Sequence, residues 1–385
     1  MTRKISKKVI LLVILAATLI LYFPLKNAMN RSRSAKELNE RKATFADDSS
    51  KLERTVILPA MNTPIIPNRN IVWCSSFQLA WNEMKDMVIK NPIQVSGAEG
   101  ISQRLNNANQ QKSDLSEDSY YVAAGKTSDN IQEKIRSDMA RRFPSVEVPE
   151  FGPNDVLVAF SYLETYVKFR EPYRQYDKAM FFTDSAGNRT PVNSFGVWDG
   201  FQRRYRPLCK QIDILYCKMD EDDGVIEFAL DLCKHTEPYQ LVVAITEPNE
   251  SLEHTILELQ RKIKSFQKDA ANTHLAQFDK VDILQVPEMY WDITHHFAEL
   301  EGKFLSNDGY QSLWISKALQ MIRFRLDRTG ALLESKATFA VGAIPKIFSL
   351  DRPFLIYLRK RDADQPFFAM WVDNAELLTP FAGQD

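Results

Sequence analysis

Four short, uninterrupted apolar runs limit the folds open to this chain: Val156–Phe160, Leu241–Ile245, Phe354–Leu358 and Phe367–Val372. Each is bounded by turn-forming or polar residues. A helix buried on all sides needs ten or more such residues, so these runs read as strands covered on both faces. The last two flank the polar stretch 359–366 and predict an antiparallel hairpin. Between them and the N-terminus, three segments switch to helical spacing. Phe77, Ala80, Trp81, Met84 and Val88 form one stripe; Ile131, Ile135, Met139 and Phe143 form another, ended by Pro144; Leu252, Ile256, Leu259 and Ile263 form a third. Few helices among many buried strands of mixed spacing predict an α+β fold.

Composition removes several function classes. With 44% apolar and 26% charged residues the chain is globular rather than disordered. Thirteen glycines in 385 residues, about half the usual share, argue against glycine-loop nucleotide folds. Forty-nine basic residues against fifty acidic ones leave a net charge of −1, so nucleic acid is not an expected partner. No G-x-S-x-G, H-E-x-x-H, P-loop, C-x-x-C or G-x-G-x-x-G occurs, and neither enzyme activity, a cofactor nor a metal is assigned. A hydrolase with an unrecognised site stays open as a third reading. Cys74, Cys209, Cys217 and Cys233 are too few for a disulfide scaffold, although Cys209 and Cys217 are a candidate bridge in an exported body. The adjacent His295 and His296 read as structural or surface residues, with a ligand or switch role as the alternative. Arg203, Arg204 and Arg206 around Tyr205 read as a solvated loop or a polyanion-binding cluster.

The N-terminus has its own logic. Arg3, Lys4, Lys7 and Lys8 precede an apolar run from Val9 to Leu25, broken by Thr18 and Pro24. As a helix that run spans about 25 Å, short but tolerable for a bilayer core of ~30 Å. Lys26–Asn30 offers no convincing small-residue cleavage site, so an uncleaved transmembrane anchor over residues 1–25 is favoured over a cleaved signal or a buried helix. Residues 26–54 are polar and aperiodic and read as a stalk, which leaves 55–385 as the body. Lys26, Arg31, Arg33 and Lys36 weaken the orientation rule, but the tight N-terminal cluster and the large C-terminal body still favour a body outside the cytoplasm. The expectation is a single-pass membrane protein with an extracytoplasmic body; the alternative is secretion after signal cleavage.

A family comes into view at the C-terminal end. Residues 315–330 (ISKALQMIRFRLDRTG) resemble the serpin segment leading into the reactive-loop hinge, and 351–354 (DRPF) with the following hairpin resemble the closing serpin strands. Upstream, 281–289 (VDILQVPEM) is similar to a further serpin strand, and 70–73 (NIVW) opens like the serpin core helix. The matches are colinear over about residues 70–378. The resemblance implies a serpin-like body of several mostly antiparallel sheets with surrounding helices, preceded here by the one transmembrane helix. It departs from the family in a shorter region over 89–128 and in lacking the tryptophan expected after Tyr162.

The resemblance also implies serine- or cysteine-protease inhibition, in which a cut loop inserts its upstream part into the main sheet as a new strand. After Gly330, the set Ala331, Leu333, Ser335, Ala337 and Phe339 is small or apolar and alternates with Leu332, Glu334, Lys336 and Thr338, a period that permits insertion. Inhibitors of the family instead favour unbroken small residues there, and an acidic pair where this chain has Arg328 and Thr329. The family's spacing from Gly330 puts the scissile bond at Ile344–Pro345, and a proline after the bond resists most proteases. Better bonds, off that register, are Phe339–Ala340 and Lys346–Ile347. The expectation is therefore a tethered binding protein, possible as an inhibitor but better read as non-inhibitory; the alternative is a structural or carrier module presenting its loop or basic cluster to a partner. An uncleaved anchor should keep the protein in the membrane fraction through a carbonate wash; soluble chains beginning near Asn30 would show a cleaved signal.

Overall fold

The apolar runs become central strands because only a sheet with neighbours on both edges and layers on both faces can bury every side chain of such a segment. The computed structural model describes residues 43–152, 156–166, 169–198, 205–328 and 345–382. The main sheet holds six strands: β1 (Phe45–Asp48), β14 (Met289–His296), β16 (Trp314–Leu326), β5 (Leu157–Tyr166) and β4 (Tyr120–Lys126) in that order, with β15 (Lys303–Phe304) also on β16. Seven strands make a second sheet, ordered β10 (Asp213–Met219), β11 (Val225–Asp231), β12 (Tyr239–Ile245), β18 (Phe354–Lys360), β19 (Phe368–Val372), β3 (Asn70–Cys74) and β2 (Thr55–Ile57). A third sheet runs β17 (Ile347–Ser349), β13 (Ile283–Pro287), β9 (Ser194–Val197) and β6 (Arg174–Gln175), and β7 (Met180–Thr183) pairs with β8 (Arg189–Val192). Gly196 in β9 is required by the close approach of β13: a Cβ there would lie 1.8 Å from the Leu284 carbonyl oxygen.

Helices close the layers. The stripe at Phe77 becomes α1 (Ser75–Glu83), whose Phe77, Ala80 and Trp81 are buried in the core beneath the main sheet. After α2 (Glu99–Asn107), α3 (Ile131–Arg142) lays Ile131, Ile135 and Met139 on the outer face of the main sheet, against Val158, Phe160, Tyr162, Leu319 and Met321. Each such side chain, fully buried, contributes about 2 kcal/mol. A short α4 (Arg206–Gln211) follows, then α5 (Leu252–Lys268), whose Leu252, Ile256 and Leu259 cover the second sheet at Trp73, Tyr357 and Trp371. Between the two large sheets, Trp291, Phe324 and Phe368 stack at 4.6–6.2 Å. The α+β expectation holds, with mixed sheets: β1–β14, β2–β3, β5–β16 and β13–β17 are parallel pairs. All four cysteines are free and buried, and burial pushes the Cys209 and Cys217 thiols up to about 11, which suits packing rather than reactivity.

The body begins earlier than residue 55. The segment 45–54, read as the end of a polar stalk, is part of the fold: β1 pairs parallel with β14 from Phe45↔Trp291 to Asp48↔Thr294. The chain then crosses to the edge of the second sheet, where Glu376 accepts from the Glu53 and Arg54 backbone amides and the Thr55 hydroxyl. This strand escaped the sequence reading because its only large apolar residue is Phe45. The Val9–Leu25 run lies outside the described residues; among those described, no helix is long and apolar enough to cross a membrane.

Of the adjacent histidines, His295 holds the far end of β1. His295 Nδ1 lies 2.7 Å from Ser49 Oγ, its ring meets Phe297 edge-on at 4.5 Å, and its Nε2 is buried with no partner. Asp48, His296 and Glu301 are the charged groups around it. Burial, outweighing the pull of Asp48, lowers its pKa to about 4. The unfolded chain therefore takes up this proton first, and stability present above pH ~6.5 is lost as pH falls toward 4, by on the order of 3 kcal/mol. His296 works the other way, since its hydrogen bond to Glu301 raises its pKa. Denaturant titrations from pH 7 to 4 should show His295→Gln losing less stability than wild type; parallel curves would remove His295 as the cause.

Candidate strand-acceptor site

Two parallel strands side by side at the centre of a sheet are an unusual neighbour pair for a chain segment that follows one of them. β16 runs parallel to β5 from Ile315↔Leu157 to Arg325↔Tyr166. A segment turning back after β16 runs antiparallel to β16 and, because β5 shares that direction, antiparallel to β5 as well. It can form a ladder with both at once if the seam opens.

The two faces of the seam differ. Beneath it, at the register pair Gln320↔Ser161, Gln320 Nε2 donates to Cys74 O (3.3 Å) and Ser76 Oγ (3.0 Å) at the start of α1. Gln320 Oε1 and Ser75 Oγ are buried there without partners, each a local deficit of about 1–3 kcal/mol. On the outer face, Arg323 of β16 bonds Asp292 of β14 at 2.7 Å and reaches Glu164 of β5 at 3.7 Å, so one guanidinium spans three strands and crosses the seam. The side chains of α3 cover the rest of that face. Opening the seam thus breaks one ladder, one long ion pair and part of the α3 packing, whereas an inserted strand forms two ladders.

The chain leaves β16 through Asp327 and Arg328, whose carbonyl oxygen accepts from the Tyr173 amide at 3.0 Å, and is described again from Pro345. Solved structures match the fold as a whole. The mouse protein Z-dependent protease inhibitor matches with a TM-score of 0.50 at 11% identity, over 79% of this chain and 91% of that one. The fold is serpin-like. Native protease nexin-1, solved with heparin, matches at 0.47 and 14% identity over 80% of this chain and 93% of that one. Serpin48 of the insect Tenebrio molitor matches at 0.45 and 14%, over 79% and 92%. No protein-family model matches the chain, and no curated protein sequence does. Identities this low speak for the fold alone.

Most of the expected loop residues fall outside the described residues: Gly330, Ala331, Leu333, Ser335, Ala337, Phe339, Ala340 and Ile344, as well as Arg203 and Arg204 of the basic cluster. The other end of the serpin-like loop is described, and there one expectation is corrected. Lys346–Ile347, named as a bond for a trypsin-like protease, belongs to the body. Lys346 is buried, its Nζ 3.1 Å from Asp282 Oδ2 and 2.8 Å from the Gln277 carbonyl oxygen, while its amide donates to Asp282 Oδ1 at 2.9 Å. Ile347 opens β17, in register with Ile283. A protease must lift the residue before the bond into its own pocket, and here that residue is held from both ends.

Asp282, Glu164, Asp292 and Gln320 went unnoticed in the sequence. The only local signal was a pair of arginines, Arg323 and Arg325, standing at period two within an apolar strand. Burial raises the Asp282 pKa against the pull of two amides and Lys346, so its charge depends on that lysine. Asp282→Ala should destabilise the protein by about 3 kcal/mol in urea titrations and expose Lys346–Ile347 to trypsin. Rapid trypsin cutting after Lys346 in the folded wild type would contradict the buried pairing.

Proposed function

We propose that this protein is a non-catalytic, serpin-like binding protein, tethered to the membrane through residues 1–25 with its body outside the cytoplasm, and that its loop is cut as a substrate rather than used as a trap. One observation carries the reading: a seam geometrically fit to accept a strand is fed by a loop whose sequence is poor for trapping. Leu332, Leu333, Glu334 and Lys336 interrupt the small residues that rapid insertion favours, and Pro345 follows the bond at the expected register. Correction of the trypsin bond narrows the accessible positions to the loop itself, with Phe339–Ala340 the better-suited bond.

Protease inhibition is the second reading, favoured by the period-two pattern of Ala331, Leu333, Ser335 and Ala337 together with the parallel β5–β16 pair. Incubation with a panel of serine and cysteine proteases separates the two. Clean cleavage within 331–344 without an SDS-stable complex is the expected result; a stable acyl-enzyme would replace this reading with inhibition, and turnover of a small ester would replace it with hydrolysis. If the cut loop inserts, the melting temperature rises sharply, and Ala331→Arg blocks that rise because an unpaired charge would enter the sheet. An unchanged melting temperature after cutting means that the seam stays shut.

A further inference from the structure

The main sheet ends in two unlike edges. At one, β1 is four residues long and carries Asp47 and Asp48, and both shortness and charge keep an edge from pairing further. At the other, β4 pairs with β5 on one side, and no described segment pairs with it on the other. From Tyr120 to Gly125 it holds no charge and no proline, and its register with β5 runs to Lys126 without a bulge. Over those residues the guards that β1 carries are missing.

Backbone bonding fixes which groups face outward. The Thr127 amide donates to the Val156 carbonyl oxygen at 3.1 Å, one step past the Lys126↔Leu157 pair. Bonded pairs alternate along an antiparallel ladder, so Gly125, Ala123 and Tyr121 face β5, while Tyr120, Val122, Ala124 and Lys126 turn their backbone groups away from it. The Arg142 guanidinium agrees, donating to the outward Tyr120 carbonyl oxygen at 2.7 Å. The outward groups of Val122 and Ala124 have no partner among the described residues. Apolar surface adjoins them: the π-helical turn Met84–Ile89, which continues α1, packs against β4. Met87 on that turn is 73% exposed, more than any other large apolar side chain among the described residues. The turn sits by the Lys126 end of the strand, since the Tyr310 hydroxyl donates to the Val88 carbonyl oxygen at 3.1 Å and Lys126 lies 5.7 Å over the Tyr310 ring.

We propose that β4 is a contact site for a second copy of this chain, paired antiparallel with its own counterpart about a two-fold axis at Ala123. That axis sets Val122 of each copy opposite Ala124 of the other, and because both turn outward the two strands exchange about four backbone hydrogen bonds. The two main sheets then continue as one. The ends of the strand favour its own copy over an unrelated strand. Lys126 closes one end, Glu117 and Asp118 precede the other, and among the described residues none of the three has an ion-pair partner. The same axis brings Lys126 opposite Tyr120 of the second copy, next to that copy's acidic pair, and repeats the contact at the other end. Asp129, in the turn beyond Lys126, opposes this, so the attraction rests on Lys126. A parallel pairing would set Lys126 against Lys126 instead.

Light scattering on the full chain in mild detergent, from about 1 to 100 μM, reads the association. A dimer that grows with concentration is expected, and hydrogen exchange at the Val122 and Ala124 amides should slow as it forms. Ala124→Pro removes an outward amide without touching the β5 ladder, and should weaken dimerisation at least about tenfold with an unchanged melting temperature. Lys126→Glu should weaken it too, as should the double variant Glu117→Lys/Asp118→Lys. An equimolar mixture of these two should dimerise again, because each end then meets its opposite charge. A mass that stays monomeric across the range, a dimer as tight in Ala124→Pro as in wild type, or a mixture no tighter than either charge variant alone overturns the proposal.

Discussion

The parallel contact between β5 and β16 is the constraint on which the rest of this structure depends. Parallel neighbours cannot be joined by a tight turn, so the chain between Tyr166 and Trp314 must leave the main sheet and return. It uses that excursion to build three strands of the second sheet (β10, β11 and β12) and three of the third (β6, β9 and β13), and β14 then comes home antiparallel to β16. The same pairing puts α1 beneath the seam and α3 across it, because both faces of a central parallel pair have to be covered.

Packing energy is unevenly spread around that pair. Trp291, Phe324 and Phe368 fill the space between the large sheets with stacked rings, and Leu252, Ile256 and Leu259 seal the far side. At the middle of the seam the inward position is instead Gln320, whose amide nitrogen bonds Cys74 and Ser76 while its oxygen stays buried and unpaired. A few kcal/mol of polar deficit sits where the aromatic stack gains about as much. The Arg323–Glu164 pair offsets little of it, being long and half exposed on the carboxylate side. The β5–β16 contact is thus less well satisfied than the β14–β16 contact, where the same arginine meets Asp292 at 2.7 Å.

What the sequence disclosed and what it hid divide along the range of the interaction. The hairpin of β18 and β19, the buried strand at Leu241 and the helices at Phe77, Ile131 and Leu252 announce themselves because their apolar periods are local. Nothing local marks Asp282 as the partner of Lys346, which lies 64 positions on, or brings Arg170 beside Arg206. β1 was hidden for another reason. Its pairing is backbone to backbone along a sheet edge, and four residues with two aspartates carry no apolar signature of burial. The choice of Lys346 as a cleavable residue followed from its type alone, and its burial against Asp282 argues against it.

The two ends of the loop are anchored by different physics, and that asymmetry bears on which half can move. Downstream, Lys346 is fixed by a buried ion pair, a backbone-to-carboxylate hydrogen bond and the β13–β17 ladder that follows it, so pulling it free removes the cation that faces the buried Asp282. Upstream, between the end of β16 and Thr329, the Arg328 carbonyl oxygen is held by one backbone hydrogen bond from Tyr173, which costs about 1 kcal/mol to break. Of the two attachments, the one at the end of β16 is therefore the weaker. A segment returning from the end of β16 would run antiparallel to both β5 and β16, so the weaker attachment and the strand-accepting seam lie at the same end of the fold.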